Sequence, residues 1–397
     1  MTLFLITFLS LYGGMHAYAF TRLRTAFSPG QMTTAILAVW MVLMTVTPIL
    51  VRLAEGAGLE RTARALTWPG YIWMGALFLF CTALAASDTI RLTAWLSHRL
   101  FSTAVPGYLT AATTCQAALI IALLASAYAL YEARNVSTDH VTITTDKLPP
   151  AVRRIRVVQI SDVHVGLMFH ESRLEGVLQA VRAAAPDILV STGDLVDGRL
   201  SREDVTSHLD PLATMIAAVP ARGGKYAVTG NHEFYAGLEQ ALEFTRKAGF
   251  TVLRNQSVML PGGITISGVD DAAVRRRGPS AATPPESDVL KSLSPHHFNL
   301  LLKHRPLVAE TGHGRFDLQL SGHVHKGQLF PFNLLVRLQF PIPCGTTTAT
   351  NGSTIHVSRG SGTWGPPMRL LAPPEVTIID VIPSNISTKS NVQASAQ

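Results

Sequence analysis

The stretch IRVVQISDVHVG, residues 155–166, joins a strand-like run to a pair of polar side chains. Its first six residues are mostly β-branched and apolar, the pattern of a buried strand. The run stops at Ser161-Asp162-Val163-His164, where two metal-capable side chains stand one residue apart. Further along the chain the same punctuation returns. DILVST (187–192) is followed by Gly193-Asp194, and KYAVTG (225–230) by Asn231-His232-Glu233. FNLLLKH (298–304) closes on His304, and DLQLSG (317–322) runs into His323-Val324-His325. ITISGV (264–269), STIHVS (353–358) and EVTIIDV (375–381) read as further strands. Between the first two strands, ESRLEGVLQAVRAAAP carries apolar residues at helical spacing and ends at a proline. Strands alternating with helices define an α/β domain with helices packed on sheet. Ligands of such sheets bind at the carboxyl ends of the strands, so these terminal groups can converge in one crevice.

Each group alone has an ordinary explanation. An Asp or Asn after a strand is a common turn residue, and a single histidine is commonly a satisfied core residue. Five such placements at the ends of separate strands are better explained together, by metal. The set mixes carboxylate, amide oxygen and imidazole without thiolate, which suits Mn²⁺, Fe²⁺ or Zn²⁺ and excludes a Cys-rich structural zinc site. It exceeds one tetrahedral site. Two ions about 3.5–4 Å apart, with one carboxylate bridging, would use it fully.

The chain has 397 residues, with a hydrophobic fraction of 47% and a charged fraction of 15%. Soluble domains carry roughly 25% charged residues, so part of the chain is expected to avoid water. That part is the first third. Apolar stretches run over 3–20, 33–51, 69–86 and 108–131, each near the ~20 residues that cross a bilayer as a helix. Ala17-Tyr18-Ala19 resembles a signal cleavage site. No Lys or Arg precedes the first run, which favours a retained span. RLTAWLSHRLF (91–101) is amphipathic and reads either as a surface-lying helix or as a loop helix. Counting Arg near the spans gives a tie. Adding Lys147, Arg153, Arg154 and Arg156 tips the C-terminal half to the cytoplasmic side of an inner membrane. The net charge is +7 and the pI about 9.5, a balance that suits anionic lipid or phosphorylated substrates. No basic stripe with interleaved aromatics appears, so nucleic acid is not an expected partner. Three cysteines without a CxxC give no disulfide framework.

The order D-x-H, G-D, G-N-H-E, a lone His and G-H-x-H resembles the signature of the calcineurin-like metallophosphoesterase superfamily across residues 153–382. The ending VSRGSGTWGPPMRLLAPPEVTIIDV is similar to its membrane-associated bacterial branch, whose multi-pass members the N-terminal region also resembles. The resemblance implies a four-layer αββα sandwich at 153–383, after a transmembrane region at 1–134 with about four helices. Residues 135–152 then read as a linker or first edge strand, and 384–397 as a disordered tail. It further implies that Asp162, His164 and His325 hold one ion, that Asp194 bridges, and that Asn231, His304 and His323 complete the second. His232 would face the scissile phosphate as a catalytic residue, with Asp162 as the acceptor that fixes its tautomer. Relatives commonly have glycine where Lys326 stands; the lysine would meet phosphate or anionic lipid, or face solvent. Arg359 would hold phosphate or form a structural salt bridge.

These residues suit phosphoester hydrolysis: two divalent cations neutralise phosphate oxygens and lower the pKa of a shared water, while His232 would either protonate the leaving group or stabilise its developing charge. Whether the substrate is a phosphodiester or a phosphomonoester is left open. LFPFNLLVRLQFPIP (329–343) is unusually apolar beside such a site. It either packs into the domain core or forms a lip that admits a lipid-linked substrate. The alternative to an enzyme is a membrane sensor or transport subunit that binds a phosphorylated ligand without turnover.

Overall fold

The computed structural model describes residues 2–166, 168–169, 171–199, 209–273, 286–307, 314–349 and 352–384. The chain forms two compact units: Met1–Tyr131 with Gly365–Leu370, and Glu132–Trp364 with Leu371–Gln397. Most of the predicted loop at 275–287, and the tail beyond Ser384, lie outside the described residues.

The first unit contains α1 (Thr2–Phe27), α2 (Gln31–Gly56), α3 (Glu60–Phe101) and α4 (Ala111–Glu132). Among the described residues, α2, α3 and α4 are long and apolar enough to cross a bilayer. The expected four crossings become three by that measure. The exception is α1, which carries Arg22, paired with Asp88 of α3. Tyr18 donates to the same carboxylate at 2.7 Å. The stretch 91–101 is no separate element. It lacks Gly and Pro, so α3 continues through it for 42 residues and stops only at left-handed Ser102. At 1.5 Å per residue that is about 63 Å, twice the ~30 Å of hydrocarbon. α2 and α3 approach closely at Gly70, where a Cβ would come within 2.4 Å of the Thr47 methyl. Small residues at helix crossings permit this in lipid.

The second unit is a sandwich of two six-stranded sheets. Its elements are β1 (Ser137–Thr145), β2 (Ile155–Ile160), α5 (Glu171–Ala184), β3 (Ile188–Ser191), α6 (Asp210–Ala217) and β4 (Lys225–Ala227). There follow α7 (Asn231–Ala236), α8 (Leu238–Lys247), β5 (Thr251–Val252), β6 (Gln256–Leu260), β7 (Ile264–Gly268) and α9 (Glu286–Lys291). Last come β8 (Phe298–Leu302), β9 (Leu318–Ser321), α10 (Phe332–Gln339), β10 (Gly345–Thr348), β11 (Thr354–Val357) and β12 (Glu375–Pro383). The first sheet runs β1-β12-β2-β3-β4-β5 and the second β10-β11-β9-β8-β7-β6. β2 through β5 are mutually parallel, as are β7, β8, β9 and β11.

Alternation along each strand sorts side chains into layers. Val157, Val190, Leu300, Leu302 and Leu320 meet between the sheets. Val158, Ile160 and Leu189 face the other way, under Leu174, Val177 and Val181 of α5 and Phe244 of α8. Leu301, Ile355 and Val357 cover the outer face of the second sheet, with Leu290 of α9 and Phe340 after α10. The order is helix, sheet, sheet, helix. Parallel strands put their carboxyl ends at one edge, so β2, β3 and β4 deliver their terminal residues beside those of β8 and β9.

Candidate metal centre

Among the described residues, three groups of donor atoms form at that edge: Asp162, His164 and His325; Asp194, His304 and His323; and His164, Asp197 and His232, each with its ligand atoms within 4.8 Å of one another. In the first, His164 Nε2 stands 3.1 Å from His325 Nε2, which lies 3.4 Å from Asp162 Oδ1. In the second, His304 Nε2 stands 3.1 Å from His323 Nδ1 and 3.2 Å from Asp194 Oδ2. Ligands about 2.1 Å from one ion stand roughly 3.0–3.4 Å apart at angles of 90–109°. Asp194 joins the groups: the same Oδ2 is 3.9 Å from His164 Nε2. Asn231 opens α7 between Gly230, which lies against the Asp194 carboxylate, and His232, whose backbone N–H donates to Asp194 Oδ1 at 2.8 Å.

The chain holds these side chains at a cost that metal would offset. Asp162, His164, Asp194, His323 and His325 all have left-handed backbone, with φ from 48° to 74°. Such conformations cost roughly 1–3 kcal/mol each and gather at functional sites. Among the candidate ligands, two buried polar atoms, His164 Nδ1 and Asn231 Oδ1, have no hydrogen-bond partner within the described residues. Two glycines allow the approach. A Cβ on Gly322 would come within 2.1 Å of Asp162 Oδ2, and one on Gly230 within 2.2 Å of Asp194 Oδ1. A hard and borderline donor set, orphaned atoms and stored strain fit a site for divalent cations.

Hydrogen bonds behind the donors fix their orientation. His304 Nδ1 donates to Thr192 O at 2.8 Å, which aims its Nε2 at Asp194. Asp162 accepts from the backbone N–H of His323 at 3.0 Å and from the Ser161 hydroxyl at 2.5 Å. Electrostatics divides the rings. Burial disfavours charge on His304 and His232, but Asp194 outweighs it and raises them to about 10 and about 9. Burial lowers His164 and His323 to about 3, helped by His232 and His304 respectively. Burial opposes ionisation of Asp162 and Asp194. The histidines facing them override it and hold both carboxyls below the usual range. His304 thus keeps a proton that a cation would displace.

His232 departs from expectation. Its Nδ1 bonds to Asp197 Oδ1 at 2.7 Å, not to Asp162, which is engaged with His323 and His325. Asp197 follows Asp194 by three residues, inside GDLVD. Tyr235 and Trp364, both about half exposed, set their rings 5.6 and 5.8 Å from the His232 ring. Arg359 is structural: it donates to Pro373 O and Ser137 Oγ, and pairs with buried Glu375 at 2.7 Å. Lys326 is half-buried with φ 52°, a conformation that glycine would adopt without strain.

The sequence alone assigns Glu233 no role. Its buried carboxylate accepts the backbone N–H groups of Gly230 at 2.6 Å, Leu195 at 2.7 Å and Asp194 at 3.0 Å. It thereby ties the Asp194 loop to the start of α7. Each donor left unsatisfied costs about 1–3 kcal/mol. Glu233→Ala is therefore expected to lower unfolding free energy by about 3 kcal/mol or more, read from denaturant midpoints by tryptophan fluorescence. A change within about 0.5 kcal/mol, typical of neutral surface sites, would remove the brace.

Residues 155–327 match the family described as calcineurin-like phosphoesterase. An uncharacterized metallophosphoesterase of Aquifex aeolicus is 42% identical over 264 residues, which cover 66% of this chain and 98% of that protein. A Danio rerio protein named transmembrane protein with metallophosphoesterase domain is 33% identical over 66% of this chain, which spans 61% of its length. Among solved structures, a 5'-nucleotidase precursor from Thermus thermophilus aligns at TM-score 0.35 and 18% identity over 62% of this chain and 58% of that one. The chain belongs to the calcineurin-like metallophosphoesterase family. It is thus a phosphoesterase hydrolase of a family that uses divalent metals, and its apolar helices mark it as membrane-associated.

Proposed function

We propose that this chain is a multi-pass, membrane-anchored phosphoesterase that uses two divalent ions to hydrolyse phosphodiester or phosphomonoester bonds, with lipid-linked compounds as its substrates. The observation that carries the reading is Asp194, whose Oδ2 lies 3.2 Å from His304 Nε2 and 3.9 Å from His164 Nε2, so that one carboxylate reaches both donor groups. Asp162, His164 and His325 would hold one ion. Asn231, His304 and His323 would hold the other, with Asp194 shared between them. The donor set suits Mn, Fe or Zn. When bound, such ions screen phosphate oxygens and bring the pKa of a water toward neutrality.

The chain's own groups do the rest. Asp197 takes the Nδ1–H of His232 and so fixes which face of the ring meets the substrate. The remaining Nε2 is the atom that can protonate a leaving oxygen. Tyr235 and Trp364 flank that ring and restrict how a substrate enters. A site that only bound phosphate would leave the His232–Asp197 pair without a task, which disfavours a sensor or transport subunit.

The test uses sealed membrane vesicles and bis(p-nitrophenyl) phosphate, which does not cross the bilayer. With the second unit on the cytoplasmic side of the inner membrane, inside-out vesicles should hydrolyse it when supplied with Mn²⁺. Chelator should abolish the activity, and right-side-out vesicles should show it only after detergent. Turnover that survives chelation would end the metal account. Activity confined to intact right-side-out vesicles would reverse the orientation.

A further inference from the structure

We propose that α10, with Phe330 just before it, docks on a phospholipid surface with anionic headgroups, directly beside the metal centre. One side of α10 is committed to the protein. Val336 packs with Val324 and Phe340, and the Phe340 ring meets the edge of His323 at 5.3 Å. At the other end of the helix, Asn333 sits against Gly327, where a Cβ would come within 2.4 Å of its backbone nitrogen. The helix is therefore seated on the turn that carries His323 and His325.

The other side is apolar and faces out. Leu338 is 84% exposed, Leu335 58%, Leu334 55% and Phe330 43%. Apolar clusters of this kind on a soluble surface mark an interaction site. Two observations name the occupant. First, the chain carries its own membrane spans. Residues 133–136 alone link α4 to β1 in the chain. The chain enters the helical unit again at Gly365, immediately after Trp364. Trp364 exchanges two hydrogen bonds with Gln328, at 2.8 and 2.9 Å. Second, no Asp or Glu occurs from residue 318 to 374, whereas α10 exposes Arg337. Leucine and phenylalanine beside an exposed cation, with no acid nearby in the sequence, suit an anionic bilayer interface. A protein partner or a second copy would give no reason for the acid-free stretch. Resting on the hydrolase reading above, docking has a consequence for substrate: the phosphoester is presented with its acyl chain still in the bilayer.

The test uses the full chain in nanodiscs of phosphatidylcholine and phosphatidylglycerol. A nitroxide is placed on Leu338→Cys in a background where Cys81, Cys115 and Cys344 are alanine. Oxygen is expected to relax the label more than a water-soluble nickel chelate does. Stronger relaxation by the chelate, or shielding from both by protein, overturns the docking. In the second arm, Leu335→Glu/Leu338→Glu should slow hydrolysis of phosphatidyl-p-nitrophenol in the disc by at least about tenfold. Hydrolysis of soluble bis(p-nitrophenyl) phosphate should be unchanged. Equal loss on both reporters, or no loss on either, contradicts the proposal. A parent chain inactive on both reporters would count against the hydrolase, while the label still reads docking by itself.

Discussion

Asp194→Asn is expected to lower turnover of bis(p-nitrophenyl) phosphate by about three orders of magnitude, the equivalent of several kcal/mol at about 1.4 kcal/mol per decade. The substitution keeps the shape of the side chain, so Oδ1 can still accept the backbone N–H of His232. What it removes is the anion that faces His304 and His164 at 3.2 and 3.9 Å. The shared ligand is lost from both groups at once. Metal content should therefore fall together with activity, and thermal stability should fall less. Assay of turnover alongside elemental analysis of the same preparation checks both. Near-normal turnover with metal content intact would remove Asp194 from the centre of the account.

The second large effect is His232→Ala. Positioned general acids contribute about 10²- to 10⁴-fold, and the size should depend on the leaving group. An alkyl phosphoester needs a proton on its departing oxygen, so the loss there should approach the upper figure. p-Nitrophenolate leaves without one, so the loss on the aryl reporter should be far smaller. Asp197→Asn should follow the same pattern at about 10- to 100-fold, the usual scale for a group that orients another, because the ring keeps its place and loses its anchor. Equal losses on alkyl and aryl substrates would show that His232 binds phosphate instead of donating a proton.

The sequence announced the donor groups because of how parallel sheets are built. Strands such as 155–160 and 188–191 are largely buried, so apolar residues dominate them, interrupted only by Arg156, Gln159 and Ser191, and the Asp just beyond each, Asp162 or Asp194, marks the functional edge. Asp197 was invisible by that rule. It lies beyond β3 and past the buried pair Leu195-Val196, and only the turn of the GDLVD segment returns it to His232. An acid three residues after Asp194 was the available signal. Edge strands were missed for the opposite reason. β6 and β10 are largely exposed, and β5 has two residues; none presents a buried face to leave a pattern. The apolar segment 329–343 could not be apportioned from composition alone. In the structure Leu329 and Phe340 turn inward while Leu335 and Leu338 turn out. Hydropathy likewise found α3 and not its length, because nothing within 91–101 breaks a helix.

The most direct measurement is anomalous scattering from crystals of the purified chain, recorded on both sides of the absorption edge of the metal it contains. Two peaks about 3.5–4 Å apart, one beside Asp162, His164 and His325, the other beside Asn231, His304 and His323, and Asp194 touching both, are the expected result. A single peak, or peaks away from Asp194, would contradict a two-ion hydrolase.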